Sequence, residues 1–245
     1  MPILQLDKTF HPKTRSTRLM PKASFFTLGC RLNQTESAIM AKGLENIGYD
    51  IVEEENSADL CVINTCTVTN QSNSKCRKKI RSIQKANPKA IIAVVGCFSQ
   101  ISSEQILEIG GVHLILGNEE KLKLHEHISE AESAIQPIVK VGKLSKEPFT
   151  IETIGQHRST TRANLKIQDG CDFICSFCVI PKARGRSRAR QPENIRDELA
   201  RLEKDGVKEI ILTGVNVGTY QYKSTGFIDL LHVFEEYKGI KRVRI

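Results

Sequence analysis

Apolar strands alternating with amphipathic helices predict an α/β protein: an amino-terminal doubly wound parallel-sheet domain, then the first part of a (β/α) barrel. Three observations support this. Short apolar runs recur between helix-period segments from Ala23 onward. The periodicity weakens over residues 131–160 and resumes at Arg162. Three early runs end in a cysteine (Cys30, Cys66 and Cys97), as expected if one sheet edge carries a site.

Taken in order, Ser24–Leu28 reads as a strand closing at Gly29-Cys30. A helix over about 33–46 places Ile39, Met40 and Leu44 on one side and ends before Gly48. Leu60–Ile63 is the next strand, ending at Asn64-Thr65-Cys66. Its helix, about 72–86, carries Lys75, Arg77, Lys78, Lys79, Arg81 and Lys85 and stops at Asn87-Pro88. Ala90–Val95 is a third strand running into Gly96-Cys97, followed by a helix over 102–109. Leu114–Leu116 and a helix over 121–128 complete the first domain, 23–130. Residues 131–160, with Pro137, Gly142, Pro148 and Gly155, read as a linker with an extended run at 138–141. The second domain, 161–245, reads as strand Ala163–Ile167, a cysteine loop, helix 192–205, strand Glu209–Thr213, helix 227–237 and strand Arg242–Ile245. Pro192 opens its helix and Gly206 follows its end. Three strands cannot close a barrel, so the chain reads as incomplete.

The 245 residues are 40% hydrophobic and 26% charged, enough for two cores. No apolar run reaches a membrane-spanning length and no signal-peptide pattern opens the chain, so a cytoplasmic protein is expected. Eight cysteines without secretory features point to thiolate metal chemistry rather than disulfides. Lys and Arg total 36 against 28 Asp and Glu, a net +8 that suits a polyanion such as RNA. At 5% aromatic residues and no Trp, base-stacking platforms are not prominent. Residues 1–22, with Lys8, Lys13, Arg15, Arg18 and Lys22, read as a mobile basic tail.

The chemistry concentrates in Cys171-Asp172-Phe173-Ile174-Cys175-Ser176-Phe177-Cys178, a C-x3-C-x2-C run. Three thiolates so spaced can hold an iron–sulfur cube and leave its fourth iron open to a small molecule. The competing readings are buried core thiols, or a zinc site completed by a distant residue such as His157. Polar neighbours Gln168, Asp169, Asp172 and Ser176 argue against an apolar core, and no second cysteine pair follows for zinc. In the first domain, Cys30, Cys66 and Cys97 read as a second three-thiolate centre, since a parallel sheet gathers strand ends at one edge. Gly29 and Gly96 permit close approach there. Cys61 reads as a core residue, and Cys76 is left outside the site because nothing in the sequence places it near the strand ends.

The spacing, with an aromatic residue before the last cysteine, resembles the radical S-adenosylmethionine (SAM) motif. The resemblance extends further. Phe26-Thr27-Leu28-Gly29-Cys30-Arg31-Leu32-Asn33-Gln34 with Glu36, Asn64-Thr65-Cys66-Thr67-Val68-Thr69, and Val95-Gly96-Cys97 are similar to the amino-terminal domain of the methylthiotransferases. Lys166-Ile167-Gln168-Asp169-Gly170-Cys171 through Cys178-Val179-Ile180-Pro181, then Ala183-Arg184-Gly185-Arg186-Ser187-Arg188, resemble their radical-SAM domain.

That resemblance implies two [4Fe-4S] clusters. Cys171, Cys175 and Cys178 would hold the one that binds SAM, and Cys30, Cys66 and Cys97 an auxiliary one carrying the sulfur to be transferred. It implies SAM contacts at Phe177, Thr213, Gly214 and Asn216, with a plain turn as the other reading of Gly214. It also implies a low-potential electron donor such as flavodoxin or ferredoxin, and further barrel strands with a small RNA-binding (TRAM) domain. Without these, the chain is expected to bind clusters but not to turn over alone. Thr67-Val68-Thr69-Asn70 and Leu212-Thr213-Gly214-Val215-Asn216 resemble the branch that acts on N6-threonylcarbamoyladenosine beside the tRNA anticodon. The isopentenyladenosine and ribosomal-protein S12 branches share the six cysteines, and a non-catalytic iron–sulfur or zinc module is the remaining alternative. The run Lys182, Arg184, Arg186, Arg188, Arg190 adjoins the cluster loop and is expected to contact RNA phosphates.

Overall fold

The computed structural model describes residues 20–53, 58–67, 70–152 and 161–245. Most of the expected basic tail, residue His157 and the Val68-Thr69 pair lie outside these.

The first domain is a parallel sheet built in βα steps. Strand β1 (Lys22–Thr27) leads to helix α1 (Arg31–Asn46) and a short β2 (Asp50–Ile51). Strand β3 (Leu60–Thr65) leads to α2 (Asn70–Ala86), and β4 (Ile91–Gly96) to α3 (Cys97–Leu107). Strand β5 (Leu114–Leu116), α4 (Leu124–Ser133) and β6 (Ile138–Lys140) complete it. The strand order is β2-β1-β3-β4-β5-β6, every pairing parallel. The order turns back between β1 and β3, the place where doubly wound sheets bind ligands.

Two apolar layers cover this sheet because β3 and β4 alternate within continuous buried runs. Leu60 and Val62 face Met40 and Leu44 of α1 and Leu124 and Ile128 of α4. Cys61 and Ile63 face Ile80 and Ile83 of α2 and Phe98 and Ile106 of α3. Each fully buried branched side chain contributes about 1.5–3 kcal/mol.

Several boundaries differ from the expectation: α4 runs to Ser133 rather than 128, and the helix expected over 227–237 stops at Phe234. The sheet continues beyond residue 130, since β6, within the stretch read as linker, pairs in register with β5. Its half-exposed edge position gives it no strong apolar pattern. Helix α3 begins at Cys97 rather than at 102, with a non-helical Ser102 (φ −144°, ψ 48°) breaking it midway.

The second domain opens with β7 (Arg162–Lys166) and a short β8 (Gln168–Asp169). After the cysteine loop come α5 (Ile180–Arg184), which the sequence reading missed, and β9 (Arg188–Ala189), antiparallel to β8. Helix α6 (Pro192–Lys204), β10 (Glu209–Thr213), the β11 (Gln221–Tyr222) and β12 (Thr225–Gly226) hairpin, α7 (Phe227–Phe234) and β13 (Arg242–Arg244) follow. Strands β13, β10 and β7 form one parallel sheet in that order. Its core joins Leu165, Ile167, Ile210 and Leu212 to Ile195, Leu199 and Leu230. Among the described residues, no helix is long and apolar enough to cross a membrane.

Candidate cluster sites and the interface between them

Strand register brings the early cysteines to one edge. Thr27 pairs with Asn64, and Thr65 with Gly96, so Cys30, Cys66 and Cys97 follow the carboxyl ends of three adjacent strands. The backbones are tightly apposed. A Cβ placed on Gly29 would lie 2.8 Å from Cys66 Cβ and 3.3 Å from its Sγ. One on Gly96 would lie 2.6 Å from Asn64 Oδ1 and 2.8 Å from the Thr65 carbonyl oxygen. Cys30 caps α1 and Cys97 opens α3, so amino-terminal helix dipoles favour negative charge beside both sulfurs.

Side-chain amides tie this edge together. Asn33 Nδ2 donates to the carbonyls of Leu28 (2.9 Å) and Thr65 (3.0 Å). The Cys30 thiol reaches Asn33 Oδ1 at 3.7 Å, and Asn118 Nδ2 lies 3.6 Å from Cys97 Sγ. Thr65 Oγ1 donates to the Val95 carbonyl (2.6 Å) and accepts from Phe98 N–H (3.2 Å), linking the Cys66 and Cys97 segments.

Cys76 is closer than its sequence position suggested. It is buried on the inner face of α2 with Ile80 and Ile83, and its thiol donates to the Cys66 carbonyl at 3.3 Å. Burial pushes its thiol up to about 11, with the Cys66 and Cys97 sulfurs near enough to add to the rise. The expectation that nothing brings Cys76 near the strand ends is therefore corrected: helix periodicity turns it inward. Cys61, as expected, is core.

The second trio lies in an open loop. Cys175 is exposed, Cys171 and Cys178 half-buried. Phe173, Ile174 and Phe177 stand 58%, 84% and 91% exposed, apolar surface of the kind that covers a bound group. The loop is closed by Cys171 N–H to the Gly185 carbonyl (3.0 Å) and Cys178 N–H to the Cys175 carbonyl (3.0 Å).

All eight cysteines are free thiols, a donor set suited to iron. Among the described residues no three His, Cys, Asp or Glu side chains are drawn together closely enough for a single ion.

Gln168, fully buried, joins the cluster loop to the loop after β10. Its Oε1 accepts from Val215 N–H (2.9 Å) and Asn216 N–H (3.0 Å). Its Nε2 faces the Asp169 (3.0 Å) and Gly170 (2.7 Å) carbonyls and Ser187 Oγ (3.0 Å). The sequence reading used Gln168 as a polar neighbour of the cysteine loop and as part of a motif, and gave it no role of its own. Of the expected SAM contacts, Phe177 is open, Gly214 lies against Gln168, Asn216 is half-buried, and the Thr213 hydroxyl meets Thr35 across the interface at 3.3 Å.

Buried charge joins the two domains. Glu36 Oε1 and Oε2 each accept from Arg184 at 2.9 Å. Lys166 Nζ reaches Glu36 Oε1 and Asp169 Oδ2, both at 2.7 Å, and Lys121 also binds Glu36. Arg184 continues to Asp169 (3.0 Å) and Asn33 Oδ1 (2.7 Å). Burial alone would raise the Glu36 carboxyl, but Arg184, Lys121 and Lys166 overcome it and hold it well below the usual range. Asp169 is held low in the same way by Lys166 and Arg184. Lys121 and Arg184 also lie within electrostatic reach of Cys97, and Asn118 spans from Cys97 to the Ala183 carbonyl (2.6 Å).

The proposed phosphate-binding run is divided by this arrangement. Lys182 and Arg186 are exposed. Arg184, Arg188 and Arg190 are buried, which corrects the expectation for these three: their guanidinium groups are taken by carboxylates. Arg188 pairs with Glu119 of the first domain (3.0 Å), and Arg190 with Glu198 and Asn194.

Comparison with known proteins gives matches to both halves. Residues 22–117 match the profile of an uncharacterized family designated UPF0004, and residues 165–245 that of the radical SAM superfamily. A threonylcarbamoyladenosine tRNA methylthiotransferase of Bacillus subtilis is 38% identical over 230 residues, covering 92% of this chain and 51% of that protein. A tRNA-2-methylthio-N(6)-dimethylallyladenosine synthase of Staphylococcus haemolyticus is 37% identical over 226 residues, covering 89% of this chain and 44% of that protein. The chain thus spans about half the length of the curated relatives it matches. A solved radical SAM methyltransferase, TsrM of Kitasatospora setae, shares the fold with a TM-score of 0.56 at 16% identity, over 86% of this chain and 50% of that one.

Proposed function

The chain belongs to the methylthiotransferase family of radical-SAM proteins, and from that premise we propose that the whole protein adds a methylthio group to C2 of N6-threonylcarbamoyladenosine beside the tRNA anticodon. In this reading Cys171, Cys175 and Cys178 hold the SAM-binding [4Fe-4S] cluster, and Cys30, Cys66 and Cys97 a second one. The observation that carries it is the placement of Cys30, Cys66 and Cys97 just after the carboxyl ends of three adjacent, in-register strands, on a face joined by Asn33, Glu36 and Asn118 to the segment after the other cysteine loop.

The target C–H bond is neither acidic nor beside a leaving group, so side-chain acid–base catalysis has little to act on. When bound, SAM and its cluster supply a carbon radical able to take that hydrogen. The chain's own residues hold the parts in reacting geometry. Gln168 fixes the loop carrying Gly214 and Asn216 against the cluster loop. The exposed Phe177 would lie by the adenine of SAM, its backbone available for hydrogen bonding. The Glu36, Asp169, Lys166 and Arg184 cluster keeps the two thiol sites at a fixed separation.

Support for the substrate comes from relatives of this name in four organisms at 34–38% identity. A second reading, dimethylallyladenosine as substrate, is favoured by the 37% identical relative from Staphylococcus haemolyticus. Electrons would come from a flavodoxin or ferredoxin.

The test is nucleoside mass spectrometry of tRNA from a strain deleted for the gene and complemented with the full-length gene. Loss and recovery of 2-methylthio-N6-threonylcarbamoyladenosine is expected. Recovery of the dimethylallyl derivative selects the second reading, and a modified S12 peptide with unchanged tRNA rejects both.

A further inference from the structure

Helix α2 carries Lys75, Arg77, Lys78, Lys79, Arg81 and Lys85 and no acidic residue, a local +6 in a chain of net charge +8. Cys76, Ile80 and Ile83 turn one face of it into the core. Lys75, Lys78, Arg81 and Lys85 lie on the opposite side, all exposed. None of these four has a carboxylate within ion-pair distance among the described residues. Arg77 instead bonds Gln105, and Lys79 lies over the Phe26 ring.

This arrangement works against the helix itself. Like charges at i,i+3 and i,i+4 (Lys75 with Lys78, Lys78 with Arg81, Arg81 with Lys85) repel one another. A face needed only for solubility is better served by mixed signs. The stripe from Lys75 to Lys85 is about 15 Å long at 1.5 Å per residue. A nucleic-acid strand presents about four phosphates over that length. The amino-terminal end of α2 follows Cys66 by four residues, so the stripe starts beside the strand ends that gather the first thiol trio. The run after the second cysteine loop cannot supply such a footprint, since only Lys182 and Arg186 of its five basic residues are exposed.

We propose that the exposed stripe Lys75, Lys78, Arg81 and Lys85 of α2 is a docking surface for the phosphate backbone of the RNA substrate. The proposal rests on the RNA reading above. It adds that the first domain, not only the region around SAM, grips the nucleic acid. These contacts position the RNA and carry no sequence information.

The test measures binding of an unmodified tRNA transcript to the anaerobically purified chain across a salt series. One variant replaces the four stripe residues by glutamine (Lys75→Gln, Lys78→Gln, Arg81→Gln, Lys85→Gln). A charge-matched control replaces Lys143, Lys146, Lys204 and Lys238, exposed lysines elsewhere. Circular dichroism melts establish that both variants fold. In the stripe variant the slope of log affinity against log salt should fall by about 2–3, and affinity at ~0.1 M salt about tenfold or more. The control should stay near wild type. Equal behaviour of the two variants, or a stripe variant with wild-type slope and affinity, overturns the proposal while leaving the RNA reading intact. A wild-type chain with no tRNA affinity overturns the stripe proposal, while the RNA reading of the whole protein stands or falls on the nucleoside analysis above. Unchanged RNA binding with lost reduction by an acidic flavodoxin assigns the face to an electron carrier instead.

Discussion

Arg184 binds Glu36 through both terminal guanidinium nitrogens, each at 2.9 Å, and so locks the second domain to the first. The pair stands in an interior that also holds Lys121, Lys166 and Asp169, each buried and each with an opposite charge in contact. Such a cluster holds its geometry only while every member is present. Glu36→Gln removes a charge that three cations share, and should cost about 3–5 kcal/mol. Thermal melts read that loss, and limited proteolysis should cut faster between the domains. A melting temperature within a degree or so of wild type would show that the domains are held by other contacts.

The same cluster sets an acid limb. Glu36 and Asp169 stay ionised in the folded chain below the pH at which unfolded carboxylates take up protons, near 4. Their stabilising contribution is therefore fully present above about pH 4.5 and drains away as pH falls through the folded values. Melting temperature should drop steadily from about pH 4.5 downward. Glu36→Gln, already lacking one of the two groups, should show a flatter drop. Parallel limbs for the two proteins would count against this assignment.

Gln168 is the residue whose loss should separate SAM binding from cluster binding. An amide has two protons, here shared among three acceptors, while its oxygen takes two backbone N–H groups. Gln168→Leu leaves those buried groups unpaired, at about 1–3 kcal/mol for each that finds no water. Gln168→Glu keeps acceptors for Val215 and Asn216 but sets a carboxylate against the Gly170 carbonyl. Both variants should weaken SAM in equilibrium dialysis, the leucine variant more, while iron per chain stays near wild type. Undiminished SAM affinity in Gln168→Leu would remove its positioning role.

What the sequence made legible was local. Apolar runs ending in cysteine gave the sheet edge, because strand ends in a parallel sheet are aligned by register rather than by distant partners. The arginines were misread because every second position from 182 to 190 looks like one charged face. The backbone there passes from α5 through a turn into β9, so alternate residues do not share a face. The partners of Arg184 and Arg188, Glu36 and Glu119, are 148 and 69 residues away, beyond any local pattern. Gln168 gave no periodic signal either. Cys76 did give one: its spacing to Ile80 and Ile83, four and seven residues, is that of one helix face.

If the two trios hold separate clusters, they should fail separately. Cys30→Ala or Cys97→Ala should remove about half of the iron and acid-labile sulfide from the anaerobically reconstituted chain, leaving SAM binding unaltered. Cys175→Ala should remove the other half and abolish SAM binding to iron, read as loss of the SAM-induced change in the reduced cluster's electron paramagnetic resonance spectrum. Single variants from either trio that lose all iron would mean one shared centre. Zinc without sulfide in the wild-type chain would end the cluster reading altogether.

Cys76 tests whether nearness to the first trio amounts to membership in it. Its thiol donates a hydrogen bond to the Cys66 carbonyl, and a sulfur that keeps its proton for a carbonyl is not an iron ligand. Cys76→Ser preserves a donor of similar shape in a site with Ile80 and Ile83 on the same helix face. Cys76→Ala loses the donor and leaves a small void. The alanine variant should be destabilised by about 1–2 kcal/mol, through the unpaired Cys66 carbonyl. The serine variant should melt closer to wild type, and both should retain all the iron. Loss of about half the iron in both variants, with Cys175-dependent SAM binding intact, would instead make Cys76 a fourth thiolate of the first centre.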